Sequence, residues 1–195
     1  MFPIYAKLDG RRCLVVGAGA VGEEKIGGLL RAGADVTVVA PEATRRVRAW
    51  AREGKLRWKT RRFQAKDLAG TFLVVAATSS TRLHAQIYRD ATRLGVLCNV
   101  VDDPPHCDFY YGAVVRRGAL VIAISTSGRS PALAQRLKAR LEREFGPEYA
   151  AWLEELGKER EKLFAKDMDP QRRRRLLHQL ASEEAFKKFL RRRNG

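Results

Sequence analysis

A glycine-rich turn between two apolar segments is the feature that most constrains the fold of this chain. Residues 12–16 (RCLVV) form a continuous, largely apolar run, and Gly17, Gly19 and Gly22 follow it directly. Apolar residues then recur at intervals of three and four until Gly33. This order predicts a buried strand, a tight turn and an amphipathic helix that ends at a glycine.

The three glycines have the spacing G-x-G-x-x-G, which is informative only when a strand precedes it and a helix follows. Gly17 would make the tight turn, Gly19 would let the backbone approach a pyrophosphate, and Gly22 would allow close helix packing. A pyrophosphate is also favoured at the positive end of a helix. The motif therefore predicts a dinucleotide-binding site, whereas a simple strand-to-helix turn would not require all three glycines.

Further apolar runs alternate with helical patterns along the first half of the chain. The runs are residues 35–40, 72–77 and 96–101, residues 56–59 form a shorter strand-like stretch, and helical spacing occupies residues 44–53 and 83–94. Strands that are apolar throughout and alternate with helices are typical of a parallel sheet covered on both faces. We therefore predict an α/β fold, with a doubly wound parallel Rossmann domain over residues 1–107.

The pattern changes after residue 107. Two strand-like runs, 109–115 and 120–125, indicate an antiparallel hairpin, and Ser130-Pro131 then begins a helix with apolar residues every four positions. This stripe contains Leu133, Leu137, Leu141 and Phe145. Such a segment is too small to bury its own core, so we predict that residues 108–146 are a small α+β dimerisation segment. Residues 147–195 are predicted to form a basic C-terminal helical domain broken near Pro170.

Charge restricts the classes of partner. The chain has 195 residues with 38 Lys and Arg against 22 Asp and Glu, a net charge of +16. The excess is spread along the chain rather than concentrated in a tail, which favours a polyanionic small molecule over nucleic acid. A basic surface that is merely solvated is the alternative interpretation.

Cysteine content and hydropathy bear on location and metal binding. Cys13, Cys98 and Cys107 form no CxxC pair, so neither a disulfide framework nor a preformed metal site is expected. The first ten residues lack the pattern of a signal peptide, and no run approaches the ~18 apolar residues that a membrane span needs. The sequence predicts a cytoplasmic protein without membrane contact.

Local chemistry leaves the choice between NAD and NADP open. The acidic residue expected at the end of the second strand is missing, and Glu42 is the nearest carboxylate. Glu42 could reach a ribose hydroxyl, whereas Arg45 and Arg46 could hold a 2′-phosphate.

Two further segments carry candidate site residues. Asn99, Asp102 and Asp103 follow the last parallel strand, where open α/β sheets bind ligands, and one of the two carboxylates could act as a general base. Capping of the loop is the alternative role. Residues 125–130 (STSGRS) place hydroxyls at a helix N-terminus, an arrangement that suits a carboxylate or phosphate, although Ser130 could simply cap the helix.

Four motifs in this order resemble one family. They are Gly17–Gly22 (GAGAVG) with Lys25, residues 76–78 (AAT), residues 98–102 (CNVVD) and residues 125–132 (STSGRSPA). The chain is similar to precorrin-2 dehydrogenase, the dehydrogenase/ferrochelatase module of siroheme synthase. This resemblance implies oxidation of precorrin-2, a polycarboxylate tetrapyrrole, to sirohydrochlorin with NAD, in a homodimer. Some family members also insert ferrous iron as a substrate.

The resemblance also implies roles for individual residues. Asp102 would be the catalytic carboxylate, and Thr126 stands where some members carry a serine that is phosphorylated. The implied NAD contacts are Gly17, Gly19, Ala20, Val21, Gly22, Pro41, Glu42, Thr78 and Asn99. The implied substrate contacts are Ser125, Thr126, Ser127, Gly128 and Ser130.

Two other functions fit the same residues. An NAD-sensing regulatory module would use the dinucleotide site together with a basic helical tail, but it would not need the hydroxyl-rich loop at residues 125–130. The other possible function is that of a chelatase, which would keep the dinucleotide-binding fold but would not oxidise precorrin-2.

Overall fold

The computed structural model describes residues 1–194, which form two compact units, residues 1–111 and residues 112–194. The first unit contains five strands and three helices. They are β1 (Arg12–Val16), α1 (Ala20–Arg31), β2 (Asp35–Val39), α2 (Arg45–Arg52), β3 (Arg57–Lys59), β4 (Leu73–Ala76), α3 (Thr81–Leu94) and β5 (Leu97–Val100). Short 3₁₀ turns occupy Ala65–Leu68 and Pro104–His106.

The five strands form one parallel sheet in the order β3-β2-β1-β4-β5. The predicted doubly wound α/β fold is therefore confirmed. The chain runs outward from β1 to β3 and then crosses back to β4 on the other side of β1. The carboxyl ends of β1 and β4 consequently flank the position where open sheets of this kind leave a ligand crevice.

Both faces of the sheet are buried, which explains why its strands are apolar at successive positions. Cys13 and Val15 of β1 pack against α1 and α2, whereas Leu14 and Val16 face the opposite side. On that side the sheet packs against Ile87 of α3. Helices on both faces leave no solvent-exposed side that would require polar residues.

The second unit contains a hairpin and four helices. They are β6 (Ala113–Arg117), β7 (Leu120–Ile124), α4 (Pro131–Glu144), α5 (Glu148–Phe164), α6 (Pro170–Leu180) and α7 (Glu183–Asn194). The hairpin turn consists of residues 118 and 119 only, because Arg116 and Arg117 belong to β6. Gly118 makes this tight turn with a φ of +57°. Both α4 and α5 pack on the hairpin.

Aromatic side chains hold the helices of this second unit together. Tyr149 and Trp152 of α5 contact Phe186 of α7, with ring centroids 4.5 and 4.6 Å apart. Phe189 is buried beside them. The C-terminal helices thus contribute apolar packing to the same compact unit as the hairpin.

Candidate active site

The glycine-rich turn lies at the carboxyl end of β1. Gly17 takes a φ of +100°, and its N–H donates to the carbonyl of Val39 at the end of β2 (3.0 Å). A Cβ at Gly17 would collide with the carbonyl oxygen of Ala77, and one at Gly22 would collide with that of Gly17. These two glycines are therefore required by packing and backbone conformation.

Gly19 differs from the other two glycines. A Cβ built there would meet no atom within 4 Å, so Gly19 borders open space. Ala20 and Val21, the first residues of α1, are exposed beside it. The first N–H groups of a helix have no acceptor within that helix, and they favour an anion. The open space and free donors fit the pyrophosphate of a dinucleotide.

Residues after β2 and β4 border this turn. Thr44 donates its backbone N–H to the carbonyl of Ala18 (3.1 Å), which joins the segment containing Pro41 and Glu42 to the glycine turn. Both Pro41 and Glu42 are exposed. Thr78 follows β4, and its methyl group lies 3.2 Å from the position that a Cβ of Gly17 would occupy. The structure therefore brings the candidate NAD contacts from β1, β2 and β4 together.

Asn99 has a clear structural role. It is only 6% exposed, and its Nδ2 donates to the carbonyl oxygen of Phe109 (2.8 Å) and to Sγ of Cys107 (3.4 Å). The amide thus holds the loop that follows β5. The predicted NAD contact of Asn99 stays a prediction.

The structure distinguishes the two neighbouring carboxylates at the end of β5. Asp102 is exposed and has a φ of +59°, a left-handed conformation that Asp and Asn tolerate better than most residues. Asp103 is half-buried and its Oδ2 lies 2.8 Å from Nδ1 of His106. Of the two, Asp102 is the more exposed carboxylate.

Backbone and side-chain contacts fix the loop that carries Asp102. Asp108 accepts a hydrogen bond from the N–H of Cys98 (2.8 Å), and Cys107 Sγ donates to the carbonyl of Val100 (3.1 Å). The ring of His106 also packs edge-on against Tyr88 (4.7 Å between centroids). Asp108 carries no local sequence signal, because its partner Cys98 lies ten residues away and no motif marks the pair.

The hydroxyl-rich loop belongs to the second unit. Ser130 Oγ accepts the N–H of Leu133 (3.2 Å), which confirms it as the N-cap of α4. Thr126 Oγ1 accepts the N–H of Ser130 (3.1 Å), and Ser125 Oγ accepts that of Ser127 (3.1 Å). Each hydroxyl acts here as an acceptor, so its own O–H can still donate.

Backbone conformation gives this loop a sharp bend. Ser127 has a φ of +53° and Gly128 a φ of +78°. Among non-glycine residues in the described chain, only Ser127 and Asp102 have positive φ. Such conformations often occur at functional sites, and both lie in segments that sequence analysis selected.

Two further kinds of site concern residues 1–194, namely a metal centre and a membrane span. No three His, Cys, Asp or Glu side chains in that range form a group that could hold a metal ion. No helix in the described part of the chain has the length and apolarity needed to cross a membrane.

Comparison with known proteins identifies related families and structures. Residues 4–113 match a family described as putative NAD(P)-binding, and residues 117–144 match the central part of sirohaem biosynthesis proteins. The siroheme synthase of Nitrosococcus oceani is 41% identical over 140 residues, covering 72% of this chain and 30% of that protein. The siroheme synthase of Neisseria meningitidis serogroup C is 39% identical over 174 residues, which cover 89% of this chain and 36% of that protein.

One solved structure matches both units. SirC, described as a precorrin-2 dehydrogenase, superposes with a TM-score of 0.80 at 29% identity, covering 94% of this chain and 91% of that one. The present chain spans only about a third of the siroheme synthases just named. The glycine turn, the parallel sheet and these matches agree with the resemblance found in the sequence. The chain belongs to the family of NAD(P)-binding siroheme-biosynthesis proteins in which precorrin-2 dehydrogenase and siroheme synthase occur.

Proposed function

We propose that this protein oxidises precorrin-2 to sirohydrochlorin with NAD. The observation that carries the proposal is the presence of an open dinucleotide turn and an accessible carboxylate, Asp102, after strands of the same parallel sheet. The near full-length match with SirC supports this choice of reaction among those available to a dinucleotide-binding fold.

The oxidation removes one hydride and one proton from the macrocycle. The nicotinamide ring, when bound, accepts the hydride. Asp102, the more exposed of the two carboxylates, accepts the proton on a carboxylate oxygen. The hydrogen bonds of Asp108 and Cys107 hold the loop that carries it. The backbone at Gly19, Ala20 and Val21 holds the pyrophosphate and thereby positions the dinucleotide.

Substrate carboxylates are the proposed ligands of the loop at residues 125–130. Precorrin-2 carries eight carboxylates, and the O–H groups of Ser125, Thr126 and Ser130 can each donate to an anion. The net charge of +16 favours such a substrate through long-range attraction. The NAD contacts and the substrate contacts that we propose are the residues that the family resemblance implies.

The proposal includes a homodimer in the cytoplasm. Leu133 of α4 is 49% exposed, and Leu137, Leu141 and Phe145 of the same stripe are only partly buried in the single chain. A second copy packing on this stripe would remove it from water. The cysteines are free and two of them are buried, as suits a reducing compartment.

The test of the reaction is an absorbance assay with enzymatically generated precorrin-2, with and without NAD. We expect sirohydrochlorin to form only when NAD is present. A parallel sample with ferrous iron measures siroheme formation above the iron-only blank, which would add chelatase activity. Formation of siroheme from sirohydrochlorin without any NAD-dependent step would instead support a chelatase alone.

Substitution of the two carboxylates tests the catalytic role of Asp102. We expect Asp102→Asn to lower kcat by about 10²- to 10⁴-fold while NAD affinity stays unchanged, because Asn tolerates the same backbone conformation but is a very weak base. Asp103→Asn is the matched control and should retain most activity, since Asp103 faces His106. Equal losses in the two variants would contradict the assignment of Asp102 as the base.

A further inference from the structure

The loop between β7 and α4 contains a single charged side chain. Among residues 118–135, Arg129 is the only charged residue of either sign, and residues 109–141 contain no Asp or Glu. The other residues of the loop at positions 125–130 are serine, threonine and glycine. Any positive charge that this loop offers to an anion therefore comes from Arg129 or from the N-terminus of α4.

The N-terminus of α4 has few backbone donors left for a ligand. Pro131, its first residue, has no N–H, and Leu133 donates its N–H to Ser130 Oγ (3.2 Å). Ala134 donates to the carbonyl of Ser130 (3.1 Å), as in a regular helix. Of the first three residues of α4, Ala132 alone keeps an N–H outside this cap. A carboxylate bound here would consequently gain most of its charge pairing from a side chain.

The Arg129 guanidinium has no acidic partner of its own. Arg129 is exposed, and no carboxylate among residues 1–194 lies within 4.0 Å of it. Its backbone is held, because its N–H donates to the carbonyl of Thr126 (3.0 Å) and the N–H of Ser130 donates to Thr126 Oγ1 (3.1 Å). The two preceding residues have positive φ values of +53° and +78°. Arg129 therefore combines a fixed backbone with an unpaired charge.

Neighbouring basic side chains of the hairpin and α4 are engaged elsewhere. Arg117 donates to the carbonyls of Glu142 and Phe145 (2.9 and 2.7 Å). Lys138 lies 3.7 Å from Oε1 of Glu142. Both contacts involve the second half of α4, away from the loop. Arg129 is thus the cation that the chain places directly among the hydroxyl groups.

We propose that Arg129 forms an ion pair with a carboxylate of the tetrapyrrole substrate and thereby determines the affinity of this loop for it. The inference rests on the proposed function and adds to it a residue of the substrate site. A guanidinium binds a carboxylate through two parallel, charge-assisted N–H···O bonds. The adjacent hydroxyl groups then donate to the same carboxylate or to a neighbouring one.

Binding and turnover of Arg129 variants of the full chain test this assignment. Titration without NAD, followed by absorbance, measures Kd for sirohydrochlorin, and steady-state assays with saturating NAD measure kcat and KM for precorrin-2. We expect Arg129→Ala to raise Kd and KM by about 5- to 20-fold, because a charge-assisted hydrogen bond is lost. Its kcat should stay within about 2-fold of the wild type, since the interaction is the same in the ground state and the transition state. Arg129→Lys keeps the charge and should restore both constants to within about 3-fold.

The matched control is Arg143→Ala. Arg143 is also exposed and, within the described part of the chain, has no carboxylate within 4.0 Å. It lies in the last turn of α4, about 20 Å along the helix from Ser130. The control removes the same charge from the molecule, and it should leave Kd and KM within about 2-fold of the wild type because of screening over that distance.

Three results would overturn the role of Arg129. They are an unchanged Kd in Arg129→Ala, equal increases of Kd in the Arg129 and Arg143 variants, and a fall in kcat without a rise in KM. A wild type that binds sirohydrochlorin but does not oxidise precorrin-2 would contradict the proposed reaction, while the Kd values would still decide the role of Arg129. A wild type that binds no sirohydrochlorin would overturn the inference and the proposed substrate together.

Discussion

Individual glycines of the dinucleotide turn have separable roles. Gly17 and Gly22 approach other backbone atoms so closely that no side chain fits, whereas Gly19 faces open space. Gly17 also needs its positive φ of +100°, which few side chains tolerate. The motif therefore combines a requirement for folding with one for ligand access, and substitution by alanine should separate the two.

We predict that Gly22→Ala mainly affects stability, whereas Gly19→Ala mainly affects NAD binding. Gly22→Ala should lower the free energy of unfolding by about 1–3 kcal/mol, because its Cβ would press on the Gly17 carbonyl. Gly19→Ala should change stability by less than about 1 kcal/mol but weaken NAD binding by at least about tenfold, because the methyl group fills space left for the pyrophosphate. Urea unfolding and NAD titration of both variants measure this. Unchanged NAD affinity in Gly19→Ala would contradict the placement of the pyrophosphate.

At the scale of elements, a buried ion cluster attaches the edge strand β3 to the following 3₁₀ turn. The side chain of Asp67 is 1% exposed and accepts from Arg61 (2.6 and 2.8 Å), Lys59 (3.0 Å) and the N–H of Gln64 (3.0 Å). Burial by itself raises the pKa of Asp67. The hydrogen bonds from Arg61, Lys59 and Gln64 outweigh burial and hold this pKa well below its usual value.

Asp67 should therefore stabilise the first unit in a pH-dependent way. We expect Asp67→Asn to lower the free energy of unfolding at pH 7 by about 2–4 kcal/mol, since it removes the charge that pairs with two cations. The pKa of Asp67 is lower in the folded protein than in the unfolded chain. The contribution of Asp67 to the free energy of unfolding is therefore fully present above the unfolded pKa of about 3.9, and it is lost as pH falls below that value. The difference in stability between wild type and variant should thus shrink between about pH 5 and pH 2. A constant difference across this range would contradict the assignment.

At the scale of the molecule, the second unit combines the hairpin with all four later helices. The predicted break near Pro170 is confirmed, since α5 ends at Phe164 and α6 begins at Pro170. Tyr149, Trp152 and Phe186 form its aromatic centre. One apolar stripe, on α4, is left incompletely covered in the single chain. Its exposure is the basis of the proposed dimer.

Light scattering tests that dimer. We expect a mass near 44 kDa, twice the chain mass of 22.0 kDa, at micromolar concentration. Leu133→Asp should shift the protein toward the single-chain mass, because it introduces a charge into the apolar stripe. Arg129→Asp is a control that also adds an acidic residue at an exposed position near α4. A wild type of 22.0 kDa under these conditions would exclude a stable dimer.

The sequence by itself determined the order of strands and helices, the doubly wound sheet, the dinucleotide turn and the N-cap at Ser130. These features depend on residues close together in the chain, because hydrophobic periodicity, glycine spacing and helix capping are local. The family resemblance came from motifs of the same local kind.

Only the tertiary structure decided which neighbouring residue has which role. It exposed Asp102 while pairing Asp103 with His106, committed the amide of Asn99 to Phe109, and gathered Lys59 and Arg61 around Asp67. It also showed that Gly19 alone of the three glycines borders open space. A residue's partners are set by how separate segments pack, and residue type and spacing along the chain leave that packing undetermined.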